Sequence, residues 1–149
     1  MRLLGNIEGK IDAKGRVFLP SVFRKQLLQA GEEQLVLRMS VHSKCLVLYP
    51  ESAWEKRIDQ LSAHVSEWIA NQHSVLREFM AGAESCELDG NGRFLISKRL
   101  LKDAGIQQAV RFIGMNETIE IWALEETEQP FIPQAEFAAR LEEIMSKPQ

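Results

Sequence analysis

The sequence predicts an α+β fold made of two pseudo-symmetric β-β-α-β-β repeats, with a helical insert between them and a helix at the C-terminus. Three observations carry that prediction. A turn of the form D-x-x-G-R stands at Asp12 to Arg16 and again at Asp89 to Arg93, 77 residues further on. Each turn leads into a short serine-headed helix that stops at Ala-Gly, and each copy then closes with a pair of apolar strands. One D-x-x-G-R is a weak signal, but the same turn at the same place in two similar segments is a strong one.

The first repeat is assigned residues 1–50. Ile7 to Pro20 reads as two short strands around Asp12-Ala13-Lys14-Gly15, the composition of a hairpin relieved by a glycine. Gly15 supplies a positive φ that a residue with a Cβ would resist. Asp12 can accept hydrogen bonds from the backbone just after it and can pair with Arg16, giving that guanidinium one preferred direction. Whether its arginine is its own or belongs to an interleaved hairpin stays open. Ser21 opens a helix that runs through Leu28 and stops at Ala30-Gly31. Strands from Leu35 to Met39 and from Cys45 to Tyr49 complete the copy.

Residues 51–81 form the insert. Trp54, Ile58, Leu61, Val65, Trp68, Ile69, Leu76 and Phe79 recur at spacings of mostly three and four, which is an amphipathic helix or a broken pair. Its apolar stripe either packs on the core or forms a subunit interface.

The second repeat is assigned residues 82–125. Leu88 precedes its turn and Phe94-Leu95-Ile96 follows, with Asp89 and Gly92 in the structural places of Asp12 and Gly15. The offset between copies falls from 77 at the turn to 74 at Gly105, so the helix headed by Ser97 is three residues shorter than its counterpart. Strands from Val110 to Ile113 and from Ile119 to Trp122 close it. In residues 126–149, Pro130 and Pro133 break the chain, and Phe137, Leu141, Ile144 and Met145 then make a short helix expected to dock or cap. The whole is expected to be one compact unit.

Net charge is −3, which argues against coating nucleic acid through bulk charge. Its distribution is uneven. Arg2, Lys10, Lys14, Arg16, Arg24 and Lys25 face only Glu8 and Asp12 within the first 25 residues, whereas residues 81–149 hold twelve acids and seven cations. The first repeat is therefore where phosphate would bind, unless these cations are only a solvated surface.

Catalysis has little support: no G-x-S-x-G, P-loop or H-E-x-x-H occurs, and the acid of each turn is placed for neutralisation by arginine. His42, His64 and His73 lack metal-ligand spacing, and no metal or other cofactor is expected. Neither Cys45 nor Cys86 belongs to a C-x-x-C pair, so both read as reduced thiols of a cytosolic protein. No apolar run is long enough for a membrane span or a signal peptide, and no small-molecule substrate is indicated.

The paired turns, the Asp12-Ala13-Lys14-Gly15-Arg16 and Pro20-Ser21-Val22-Phe23-Arg24 wording of the first copy, and the overall length resemble the MraZ family of bacterial transcriptional regulators, in the AbrB-like, swapped-hairpin superfamily. The resemblance covers essentially the whole chain. It implies a small barrel-like sheet domain of interleaved hairpins, a ring of eight or twelve copies, and a nucleoid-associated protein. The implied ligand is double-stranded DNA, as direct repeats in the promoter of the protein's own cell-division and cell-wall gene cluster. Under that reading Arg16 makes the base-edge contact, with Lys14, Lys10, Arg2 and Arg24 on phosphates. Arg93 either contacts DNA as well or only bonds Asp89, and Ser97 departs from the pattern by standing where the first copy has Pro20. A rival is a protein-interaction module, antitoxin-like or a scaffold, using the acidic half with Trp54 and Trp68. RNA binding is disfavoured because no stretch interleaves aromatics with cations.

Overall fold

The computed structural model describes residues 2–148. The first copy comprises β1 (Asn6–Lys10), β2 (Arg16–Phe18), α1 (Ser21–Gln29), β3 (Leu35–Met39) and β4 (Leu46–Pro50). The second comprises β5 (Glu84–Cys86), β6 (Arg93–Leu95), α4 (Lys98–Asp103), β7 (Ala109–Gly114) and β8 (Ile119–Ala123). Two helices, α2 (Glu51–His64) and α3 (Ala70–Ala81), lie between the copies, and α5 (Gln134–Ser146) ends the chain after a short 3-10 turn at Leu124–Thr127. The β-β-α-β-β unit thus occurs twice. α1 has nine residues and α4 six, which is the shortening the falling offset requires.

The strands form a six-stranded sheet in the order β1-β7-β8-β4-β3-β5 and a separate ribbon, β2-β6, with every pair antiparallel. Both sheets are pseudo-symmetric. Outward from the central β8–β4 pair, each side shows one copy's closing hairpin and then the first strand of the other copy. β1 lies on β7, β5 lies on β3, and β2 lies on β6. The strands on either side of each D-x-x-G-R turn therefore do not pair with each other, which corrects the simple hairpin. The physical reason is burial. A three-residue strand in an isolated hairpin is marginal, whereas exchange puts Val17 opposite Phe94 at 1% and 2% exposure and builds a six-stranded sheet from the remainder.

Both copies supply one continuous core, including Leu19, Phe23, Leu46, Phe94, Ile96, Leu100, Phe112 and Ile121. Ser97 caps α4, its Oγ accepting from the Leu100 N–H at 3.3 Å. Ser21 does not cap α1: Pro20 occupies the capping position and Ser21 is already helical. The proline ring carries no oxygen to accept from the first-turn N–H groups, so the helix starts without a side-chain acceptor.

The insert is a broken pair, interrupted where Val65 is extended. Trp54 stacks on Phe79 at 5.4 Å and meets Tyr49 edge-on at 5.2 Å, and the Arg38 guanidinium lies 4.3 Å from the Phe79 ring centre. This half of the stripe packs on the protein itself, while Trp68 in the link is 89% exposed. The tail differs from expectation. Phe131 packs on Trp122 at 4.7 Å, but α5 beyond it buries no residue, and its stripe of Phe137, Leu141, Ile144 and Met145 stays exposed.

Candidate nucleic-acid interface

Each D-x-x-G-R turn is built by its own acid. Asp12 Oδ1 accepts from the backbone N–H of Lys14 at 2.9 Å and of Arg16 at 2.8 Å, and Oδ2 accepts from Arg16 Nε at 2.8 Å. The main chain closes the turn, with Asp12 N–H donating to the Arg16 carbonyl and Gly15 N–H to the Asp12 carbonyl. Asp89 repeats this on Asn91 N–H, Arg93 N–H and Arg93 Nε at 2.9, 2.9 and 3.0 Å. Gly15 and Gly92 have φ of +89° and +81°, the conformation for which glycine is needed. The open pairing question is answered: each acid holds its own arginine.

Backbone hydrogen bonds from Arg16 to Asp12 and from Arg93 to Asp89 hold both carboxyls below the usual carboxylate range, reinforced by the guanidinium of the same arginine. The acids are thus ionised at any ordinary pH. Each meets its arginine's guanidinium at Nε alone, and neither Nη of Arg16 or Arg93 has a protein hydrogen-bond partner among the described residues. A guanidinium gripped at Nε and open at both Nη groups is a fixed two-pronged donor.

The two turns are locked to each other. Leu19 N–H donates to the Gly92 carbonyl at 3.0 Å, and Ile96 N–H donates to the Gly15 carbonyl at 2.9 Å. Between them the β2-β6 ribbon pairs Arg16 with Leu95, Val17 with Phe94, and Phe18 with Arg93. Val17 and Phe94 point into the core, so the alternation of a strand turns the other four residues outward. Arg16 and Arg93 are diagonal neighbours on that outer face, their roots roughly 7–8 Å apart. The geometry makes them equivalents.

Lys14, at the tip of the first turn, and Lys10, on edge strand β1, are exposed, as is Arg2 near the start of the chain. Arg24 is placed differently from its grouping in sequence. It extends from α1 of the first copy over the second turn, where a Cβ on Gly92 would overlap its Nη1. At the equivalent place over the first turn stands Leu101 of α4, 3.8 Å from where a Gly15 Cβ would lie. Strand exchange has moved a first-copy cation to the second turn, so charge counted by segment understated that turn. Sequence reasoning passed over Phe18 and Leu95, each 57% exposed on the ribbon's outer face. The available signal was their two-residue spacing from Arg16 and Arg93.

The rest of the surface offers little competing chemistry. No group of three or more His, Cys, Asp or Glu among the described residues could hold a metal ion. Cys45 and Cys86 are free, and burial pushes both thiols up to about 12, which disfavours thiolate chemistry. No helix among the described residues is long and apolar enough to cross a membrane.

Comparison with known proteins identifies the family. A family profile described as "MraZ protein, putative antitoxin-like" matches residues 3–73 and 79–143, one segment on each repeat. A protein of Phocaeicola vulgatus named transcriptional regulator MraZ is 53% identical over 97% of this chain and 94% of its own length. One of the same name from Bacteroides fragilis is 49% identical over 99% of this chain and 93% of its own. The namesake in Christiangramia forsetii is 33% identical over 97% and 94%. With the doubled turn, the exchanged strands and these matches along nearly its full length, the chain belongs to the MraZ family.

Proposed function

We propose that this protein is a DNA-binding transcriptional regulator that recognises double-stranded DNA through its β2-β6 ribbon and the two turns that bound it. The observation that carries the reading is the pair of arginines, each gripped at Nε and open at both Nη groups, on one outward face. A two-stranded ribbon fits the major groove, and a guanidinium fork matches guanine O6 and N7. Lys14, Lys10, Arg2 and Arg24 take phosphates and set the register. The names of the relatives support a regulatory role.

A chain of net charge −3 neutralises few phosphates, so tight binding comes from several copies engaging repeated sites at once. The assembly is a homo-oligomeric ring of eight or twelve subunits, acting in the cytoplasm at the nucleoid. Its target is direct repeats in the promoter of its own cell-division and cell-wall gene cluster.

Fluorescence anisotropy on DNA upstream of the protein's own gene, against a scrambled duplex over a range of salt, tests this. The expected result is a preference for the upstream DNA that Arg16→Ala and Arg93→Ala both abolish, with oligomeric size unchanged. Equal binding to both duplexes at every salt concentration overturns the reading. One observation favours a second function, as a protein-interaction module: Trp68, Ile69, Val75 and Met80 of the insert are each exposed. An apolar contact there would resist salt that strips a DNA complex.

A further inference from the structure

The outer face of the ribbon is half apolar. Phe18 stands opposite Arg93 and Leu95 opposite Arg16, so the four outward side chains form a checkerboard with guanidinium groups on one diagonal and apolar groups on the other. Phe18 and Leu95 are equivalent under the pseudo-twofold axis, and each is 57% exposed. The Arg93 guanidinium carbon lies over the Phe18 ring at 5.8 Å from its centre, a cation–π pairing that holds the two side chains side by side on this face. Strand residues next to them, Val17 and Phe94, already supply what the core needs from this ribbon. An exposed phenylalanine and leucine between two charged forks is a costly surface to leave in water, and the pseudo-symmetry places one beside each fork.

The major groove offers one apolar group to such a surface, the C5-methyl of thymine. We propose that Phe18 and Leu95 are specificity-determining residues that read thymine methyls beside the guanines contacted by Arg93 and Arg16. This rests on the ribbon reading of DNA given above and extends it to a base type that hydrogen bonds alone do not select. The arginines choose guanine and the apolar pair chooses thymine over cytosine next to it. The phosphate-binding cations Lys14 and Lys10 have no part in that choice.

The test compares the full-length protein's affinity for its upstream duplex with that for duplexes in which each thymine in turn is replaced by deoxyuridine, which removes one methyl and nothing else. Loss of about fourfold per methyl is expected at one or more positions, the worth of one buried methylene-sized group. Phe18→Ala and Leu95→Ala should each bind the thymine duplex more weakly and become indifferent to uracil at one such position, whereas Leu95→Met keeps the discrimination. Wild-type protein that prefers the upstream duplex yet ignores uracil everywhere overturns the inference while the DNA reading stands. No preference for the upstream duplex at all overturns the DNA reading and this inference with it. Variants that change oligomeric size but still discriminate thymine from uracil as the wild type does also overturn it, and make the pair a subunit contact.

Discussion

Asp12 holds the Arg16 guanidinium by a single nitrogen: Oδ2 to Nε is 2.8 Å, and neither Nη group has a hydrogen-bond partner among the described residues. The acid orients the arginine without consuming its fork. Arg16→Lys keeps the charge but loses both the grip and the two-pronged geometry. Its expected effect is a loss of about 1–3 kcal/mol on the upstream duplex, the range for a bidentate base contact. Binding to the scrambled duplex should change little. An equal loss on both duplexes in anisotropy titrations would make Arg16 a phosphate contact instead.

The same acids give stability a defined dependence on pH. Backbone hydrogen bonds from Arg16 and Arg93 lower the carboxyls of Asp12 and Asp89 in the folded protein relative to the unfolded chain. Their stabilisation is therefore complete above the ordinary aspartate value and is lost as pH falls through the lowered one. Thermal melting of wild type against Asp12→Asn/Asp89→Asn should show a gap that is constant above about pH 5 and narrows below about pH 4. A gap that persists unchanged to pH 2 would mean that the acids act by geometry alone.

Much of this architecture was readable in the sequence because it is local. Asp12, Gly15 and Arg16 lie within five residues, and their hydrogen bonds close inside that window. The helices stop before Gly31 and Gly105 for equally local reasons. The strand partners were not readable from the residue pattern itself, and only the family resemblance implied interleaved hairpins. β1 could lie against its own β2 or against β7, and two copies of one pattern cannot tell these apart; burial of Val17 against Phe94 decides it. Arg24 was misplaced for the same reason, since its neighbour Gly92 is far off in sequence and close only after exchange. The tail failed differently. Its helical spacing is real, but α5 finds no surface within this chain, and periodicity does not say what covers a face.

The two turn glycines should respond unequally to alanine. Both have positive φ, which costs an L-residue about 1–2 kcal/mol. At Gly92 the added Cβ meets the flexible end of Arg24, which can swing aside. At Gly15 it would lie 2.8 Å from the backbone carbonyl oxygen of Ile96, the residue that donates its own N–H to the Gly15 carbonyl. That contact joins the two turns and has no free rotation to relieve it. Urea denaturation should therefore show Gly15→Ala as the more damaging change, with Gly92→Ala near the cost of its φ alone. The reverse order would mean that Arg24 is a rigid prop of the second turn.

Arg24 offers a sharper separation of roles. Its Nε is buried without a hydrogen-bond partner among the described residues, while its Nη1 end lies over the second turn beside Gly92. As a phosphate contact, each cation removed should lower the slope of log affinity against log salt by about 1. Arg24→Ala and Lys14→Ala should each do this on upstream and scrambled duplex alike, one acting at the second turn and the other at the first. The double variant should lose about 2, because the side chains serve different turns and share no partner. A slope unchanged in Arg24→Ala, with specific affinity reduced, would instead show that Arg24 works through the protein. Its charge would then serve to hold the Gly92 turn in place, and the second turn would reach DNA through Arg93 alone.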